Sequence, residues 1–128
     1  MQQPVTMSVD NNGIIRINFF GDLLAGQVPA FQSAIQAGRD FVKSTFEKSG
    51  KKVKILLDMT KFSGNYNAEA LRILSEFAAG NKDYVYRTAS FGGSDKVKTA
   101  GEIATLLSGR ENIKIFNTED EAFVWLQE

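Results

Sequence analysis

Val53-Lys54-Ile55-Leu56-Leu57 runs straight into Asp58-Met59-Thr60, followed by Lys61-Phe62-Ser63-Gly64-Asn65-Tyr66-Asn67. The opening residues form a short apolar run of the kind found in buried strands. The segment Lys61–Asn65 is polar and turn-forming and reads as a loop, with a helix opening near Asn67. A carboxylate, two hydroxyls and a helix N-terminus therefore meet at the carboxyl end of a strand. In open α/β sheets this is where ligands and partners bind.

On the amino-terminal side, Val5 to Phe20 reads as a hairpin turning at Asn12-Gly13, a pair that tolerates the positive φ of a type I′ turn. Ile15, Ile17 and Phe19 share one face, and Arg16 and Asn18 share the other. That alternation fits a sheet covered mainly on one side at this end. A long helix is expected from about Val28 to Phe46, with Pro29 in its first turn and Val28, Phe31, Ile35, Val42 and Phe46 as its buried stripe. Gly38 interrupts the stripe as a close-packing point or a weak spot. Gly50 is placed to cap the helix.

After Asn67, a helix to about Ala79 would turn Leu71, Leu74, Phe77 and Ala78 inward. A strand follows from Tyr84 to Phe91, then the loop Gly92-Gly93-Ser94-Asp95. The third helix presents Val97, Ala100, Ala104 and Leu107 at helical spacing, with Gly109 past its end. Ile113 to Phe116 is the last strand. In the last helix, Thr118 and Glu121 form a capping box, Ala122, Phe123 and Leu126 face inward, and Trp125 covers an edge of the core. The order β-β-α-β-α-β-α-β-α implies one α/β domain over residues 1–128. Its sheet is mixed and mostly parallel, with an antiparallel strand contributed by the hairpin.

Composition bounds the chemistry. The chain has 128 residues, 43% hydrophobic and 23% charged, enough for one well-packed domain. Fifteen basic and fifteen acidic residues cancel, which argues against a nucleic-acid binder with a broad basic face. The lysines at 48, 51, 52 and 54 read as a solvated helix-to-strand turn. Cys and His are both absent, excluding disulfides, zinc-finger sites, thiol nucleophiles and histidine-based triads. No apolar run approaches membrane-spanning length. The polar start Met1-Gln2-Gln3-Pro4 lacks the pattern of a signal peptide, so a cytoplasmic location is expected.

The ordered residues carry a family resemblance. Ile55-Leu56-Leu57-Asp58-Met59-Thr60, Phe77 with Asn81-Lys82, Ala89 to Gly92, Ser108-Gly109-Arg110, and Ile115 to Leu126 together resemble the SpoIIAA-like family of small bacterial proteins. That family is related to the STAS domains of sulfate transporters and anti-sigma-factor antagonists. The resemblance is good from about Val53 onward and rests mainly on element order before it. It implies a STAS/SpoIIAA-like fold and a regulatory, protein-binding role. Anti-sigma antagonists carry an Asp-Ser-Ser-Gly-like segment with a phosphorylated Ser at the start of the next helix. The matching positions here are Tyr66, Asn67 and Ala68, and neither Asn67 nor Ala68 has a hydroxyl to modify.

The candidate site therefore comprises Asp58, Thr60, Ser63, Asn65, Asn67, Gly92, Gly93 and Ser94. Thr60 and Ser63 are the weaker candidates for phosphorylation, with Tyr66 nearby. Each has a structural alternative, and it is the favoured one for Asp58 (shaping the turn), Thr60 and Ser63 (satisfying local backbone) and Ser94 or Asp95 (capping the helix). Gly92-Gly93-Ser94-Asp95 lacks the Lys-Ser/Thr ending of a phosphate loop. Glu69, Glu76, Glu102 and Glu119, like Lys82, Arg87 and Lys96, show no spacing that demands an acid–base pair.

The reading is thus a non-enzymatic interaction module with a protein partner and no cofactor or metal. The alternative is a carrier or sensor of a small apolar or anionic ligand, held between the long helix and the sheet among Phe19, Phe20, Leu23, Leu24, Phe31 and Phe41. Core packing is the favoured account of those aromatics. The first strand is an exposed edge through which a homodimer could pair.

Overall fold

The computed structural model describes residues 3–128; of the polar start, Met1 and Gln2 lie outside them. The elements are β1 (Val5–Val9), β2 (Ile15–Leu23), α1 (Val28–Ser49), β3 (Val53–Tyr66), α2 (Ala68–Gly80), β4 (Val85–Phe91), α3 (Asp95–Ser108), β5 (Ile113–Phe116) and α4 (Glu119–Gln127). The strands form one sheet in the order β1-β2-β3-β4-β5. β1 is antiparallel to β2, and every other pair is parallel. Each parallel crossover advances one strand in the same direction. Right-handed connections then place α1, α2 and α3 on one face. α4 follows the last strand and covers the other face, against Ile14, Leu56, Ala89 and Phe91. No helix of the described residues is long and apolar enough to cross a membrane.

The larger core lies under α1 to α3. Ile15, Ile17 and Phe19 of β2 point into it, alternating with the half-buried Arg16 and Asn18. Phe31, Ile35 and Val42 of α1 are buried against them, with Val28 and Phe46 half-buried at the ends of the stripe. Gly38 is a close-packing point: a Cβ there would sit 2.8 Å from Met7 Sδ, because β1 lies beneath the helix. Gly50 takes the left-handed conformation (φ 71°) and its amide donates to Phe46 O at 2.9 Å.

Four local expectations change. The hairpin does not turn on a two-residue loop at Asn12-Gly13. Val9 pairs with Ile15, leaving a longer loop that the Asp10 carboxylate organises by accepting from the amides of Asn12 (2.8 Å) and Ile14 (2.9 Å). Only Gly13 of the pair needs positive φ (78°).

Lys61–Asn65 is not a free loop but the continuation of β3, which pairs with β2 through Phe20–Lys61, Gly21–Phe62 and Leu23–Tyr66. Phe62 and Gly64 are buried while Lys61, Ser63 and Asn65 are exposed, a two-residue period hidden by polar residues and a glycine. The pairing continues through two register shifts, at each of which β3 carries the extra residues: Asp58 to Lys61 opposite Asn18 to Phe20, and Phe62 to Tyr66 opposite Gly21 to Leu23.

The inner face of α2 runs through Ala70, Ile73 and Phe77; Leu71, Leu74 and Ala78 are half-buried at its edges. α2 lies between α1 and α3 and touches a neighbour on each flank. Finally, Leu107 is 63% exposed. α3 packs through Val97, Ala100 and Ala104, and its last turn runs past the core before Gly109 ends it.

Candidate functional site

At the carboxyl edge of the sheet, β3 outruns β4 and brings the sequence candidates into two groups. The first lies on the α4 face. Asp58 sits opposite Asn18 in the β2–β3 register, beside Arg16. Arg16 Nη2 donates to Asp58 Oδ2 at 3.0 Å and to Glu119 Oε1 at 2.6 Å, joining β2, β3 and the first turn of α4. The other oxygen, Asp58 Oδ1, accepts from the Thr60 amide (3.0 Å) and the Thr60 hydroxyl (2.6 Å). Burial pushes the Asp58 pKa up, but the Thr60 and Arg16 bonds outweigh it and hold the carboxyl below its ordinary value. The Arg16 guanidinium is held above its ordinary value, chiefly by the Glu119 hydrogen bond.

Asp58 stabilises the fold fully above its unfolded pKa of about 3.9, and that contribution is lost as pH falls through the lower folded value. Asp58→Asn is expected to lower stability at pH 7 by about 1–2 kcal/mol. It should also flatten the acid limb of the stability profile below about pH 4, measured by urea unfolding at a series of pH values. An unchanged acid limb would show that the ion pair does not hold these elements together.

The second group lies on the outer rim. Asp22 Oδ1 accepts from Ser63 Oγ at 2.5 Å and from Asn65 Nδ2 at 3.0 Å. Asn65 Oδ1 in turn accepts from Lys96 Nζ at 2.7 Å, and the Asn65 amide donates to Ser63 Oγ at 3.1 Å. These donors, Ser63 first, hold the Asp22 carboxyl below its ordinary value. A carboxylate so held is a weak proton acceptor, so the Ser63 hydroxyl is positioned rather than activated as a nucleophile. Beside Asp22 an open groove of about 320 Å³ runs between the end of β2 and the start of α1, lined by Phe20, Gln27 and Ala30.

The remaining candidates shape the edge. Asn67 caps α2, its Oδ1 accepting from the Ala70 amide at 2.9 Å. Ser94 caps α3 through the Val97 amide at 3.4 Å. Gly92 (φ 83°) lets the β4–α3 loop press on Thr60, where a Cβ would come within 2.5 Å of Thr60 Cγ2. Gly93 (φ 87°) lies against Val97.

Arg16 and Asp22 of these groups were not among the sequence candidates, and Glu119 and Lys96 figured there only as charges with no spacing that pairs them. Asp22 had a signal in Gly21-Asp22, which breaks the apolar alternation of β2. Arg16 had none, because its partner lies 42 residues away. Among the described residues no three acidic side chains converge as metal ligands would. The space between α1 and the sheet, where the carrier alternative put its ligand, is filled by Phe19, Phe31, Ile35 and Val42.

A model of the SpoIIAA-like family matches residues 14–127. The chain belongs to the SpoIIAA-like family. Among solved structures it is similar to an uncharacterized DUF3478-family protein with a SpoIIAA-like fold from Shewanella loihica PV-4. That match has 14% identity and a TM-score of 0.62 over 95% of this chain and 91% of the other. It is also similar to the anti-sigma factor antagonist SpoIIAA in its unphosphorylated form, with 13% identity and a TM-score of 0.61 over 96% of this chain and 97% of that one. At such identities the likeness is one of fold. No curated protein matches the chain. In this SpoIIAA-like chain, β3, the start of α2 and the β4–α3 loop form one continuous edge. The exposed flank of α2 beside it carries Arg72 paired to Glu69 and, at 2.8 Å, to Glu76.

Proposed function

We propose that this chain is a non-enzymatic regulatory module, one SpoIIAA-like domain across its length, that binds a protein partner at the carboxyl edge of its sheet. The observation that carries this reading is the exposed, pre-arranged rim Asp22–Ser63–Asn65–Lys96 beside an open groove. Its groups are already oriented by one another, so a partner would find donors and acceptors without the full entropy of ordering them. The charged flank Glu69–Arg72–Glu76 extends the surface along α2 and suits a partner of alternating charge. The fold likeness to an anti-sigma factor antagonist also favours protein recognition over catalysis.

Binding here would proceed without a phosphoswitch. The start of α2 offers Asn67, whose side chain is committed to the Ala70 amide. The hydroxyls of Thr60 and Ser63 are held by the carboxylates of Asp58 and Asp22, and a phosphate on either would face a like charge. Intact-mass analysis of protein isolated from cells under several growth conditions should show no phosphorylated species. A phosphate mapped to Thr60, Ser63 or Tyr66 would overturn this part of the reading.

The partner surface is tested by affinity capture from the native host with two baits, the wild type and Glu69→Lys/Glu76→Lys. Both glutamates are exposed, so the double variant should stay folded, with a melting temperature lowered by only the loss of the surface pairs to Arg72, while the captured partner is lost. Equal capture by both baits would place the interface elsewhere.

A further inference from the structure

Arg110 is 6% exposed and Asn81 is 2% exposed, and both line one cavity of about 50 Å³ between α2, α3 and the sheet. Arg110 Nε donates to Asn112 Oδ1 at 2.9 Å and Nη2 to Thr88 Oγ1 at 3.0 Å, so the side chains that receive it are neutral. Among the described residues it forms no ion pair, and no carboxylate lines the cavity. Asn81 Nδ2 is the buried side-chain nitrogen that finds no hydrogen-bond partner among the described residues. Burial alone pushes the Arg110 pKa down to about 10. A buried cation without a counter-ion and a buried donor without an acceptor both cost stability. Finding the two at one cavity is the signature of a site rather than of core packing.

The rest of the lining sets the ligand. Leu74, Phe77, Ala104 and Ile115 make the walls apolar. Gly101 keeps α3 close to β5, since a Cβ there would meet Ile115 Cδ1 at 3.1 Å. Asn81 Nδ2 is a donor without an acceptor and Arg110 is a cation without a counter-ion, so together they call for a negatively charged acceptor. We propose that this cavity binds a small apolar monocarboxylate. Its carboxylate accepts from Arg110 and Asn81, and its hydrocarbon part lies between α2 and α3. A space that would hold roughly three or four waters suits an acid of the size of acetate or propionate, since an aromatic ring alone needs a cavity of about 150 Å³. Arg110 also borders an open depression of about 430 Å³ lined by Lys52 and Lys82, with Glu111 the one carboxylate there. That depression gives an anion a cationic approach from solvent. The site lies toward the amino ends of β3, β4 and β5, away from the rim, so it stands or fails independently of the partner.

Methyl-detected NMR of the wild-type protein tests it, titrating acetate and propionate against the uncharged acetamide and propionamide. The acids should give saturable shifts at the methyls of Leu74, Ala104 and Ile115, and the amides should bind about tenfold more weakly or worse. Arg110→Met should abolish the acid response. Ala104→Leu, which fills the cavity without touching the cation, should do the same. No saturable shift with either acid, equal affinity for acid and amide, or an acid response that survives in folded Ala104→Leu would each overturn the proposal.

Discussion

Phe31→Ala is expected to destabilise the protein by about 3–5 kcal/mol, lowering the melting temperature by roughly 10–20 °C. Phe31 is fully buried and its ring centroid lies 6.2 Å from that of Phe19, which lies 6.3 Å from that of Phe62. The three aromatics tie α1 to β2 and to the extended part of β3. Truncation removes the apolar area of a whole ring and leaves a void that a helix anchored by Ile35 and Val42 cannot close. Urea unfolding monitored by circular dichroism measures the loss. A change below about 1 kcal/mol would mean that α1 rides loosely over the sheet. A greasy cleft between helix and sheet would then again account for these aromatics.

The second large effect belongs to the opposite face. Leu126→Ala should cost about 2–4 kcal/mol, whereas Leu107→Ala should change stability by less than about 0.5 kcal/mol. Leu126 is fully buried and packs with Ala122 onto Ile14, Leu56, Ala89 and Phe91. α4 has nine residues, too few to hold helical structure without that contact, even with Thr118 capping it. Leu107 is 63% exposed and has little burial to lose. The paired measurement separates two leucines that look equally inward in the sequence. Equal losses would contradict the orientation of the end of α3.

Much of this fold was legible because local signals agreed with one another. The alternation of Ile15, Ile17 and Phe19, the stripe of α1, Gly50, and Thr118 as the cap of α4 each made the same statement in sequence and in space, although the Glu121 carboxylate accepts from the Thr118 hydroxyl rather than from its backbone amide. What escaped was decided by partners distant in the chain. Lys61–Asn65 looks like a loop until β2 is known to continue beside it to Leu23. Leu107 fits a helical stripe, but helical spacing does not say where the core ends. The candidate edge was legible as a place, yet its connections were not. Arg16 reaches Asp58 and Glu119, and Asp22 reaches Ser63 and Asn65, only through the register of β2 on β3. Arg110 carried no more than a family resemblance until its burial showed it without a counter-ion.

The binding edge itself is tested most directly by hydrogen exchange on the complex captured with the wild-type bait. Added protection is expected in the peptides covering Phe20–Gln27, Lys61–Glu76 and Gly92–Lys96, with α4 and β5 unchanged. Protection confined to α4, or to the exposed end of α3, with Lys61–Glu76 exchanging as in the free protein, would contradict the assignment of the carboxyl edge as the partner surface.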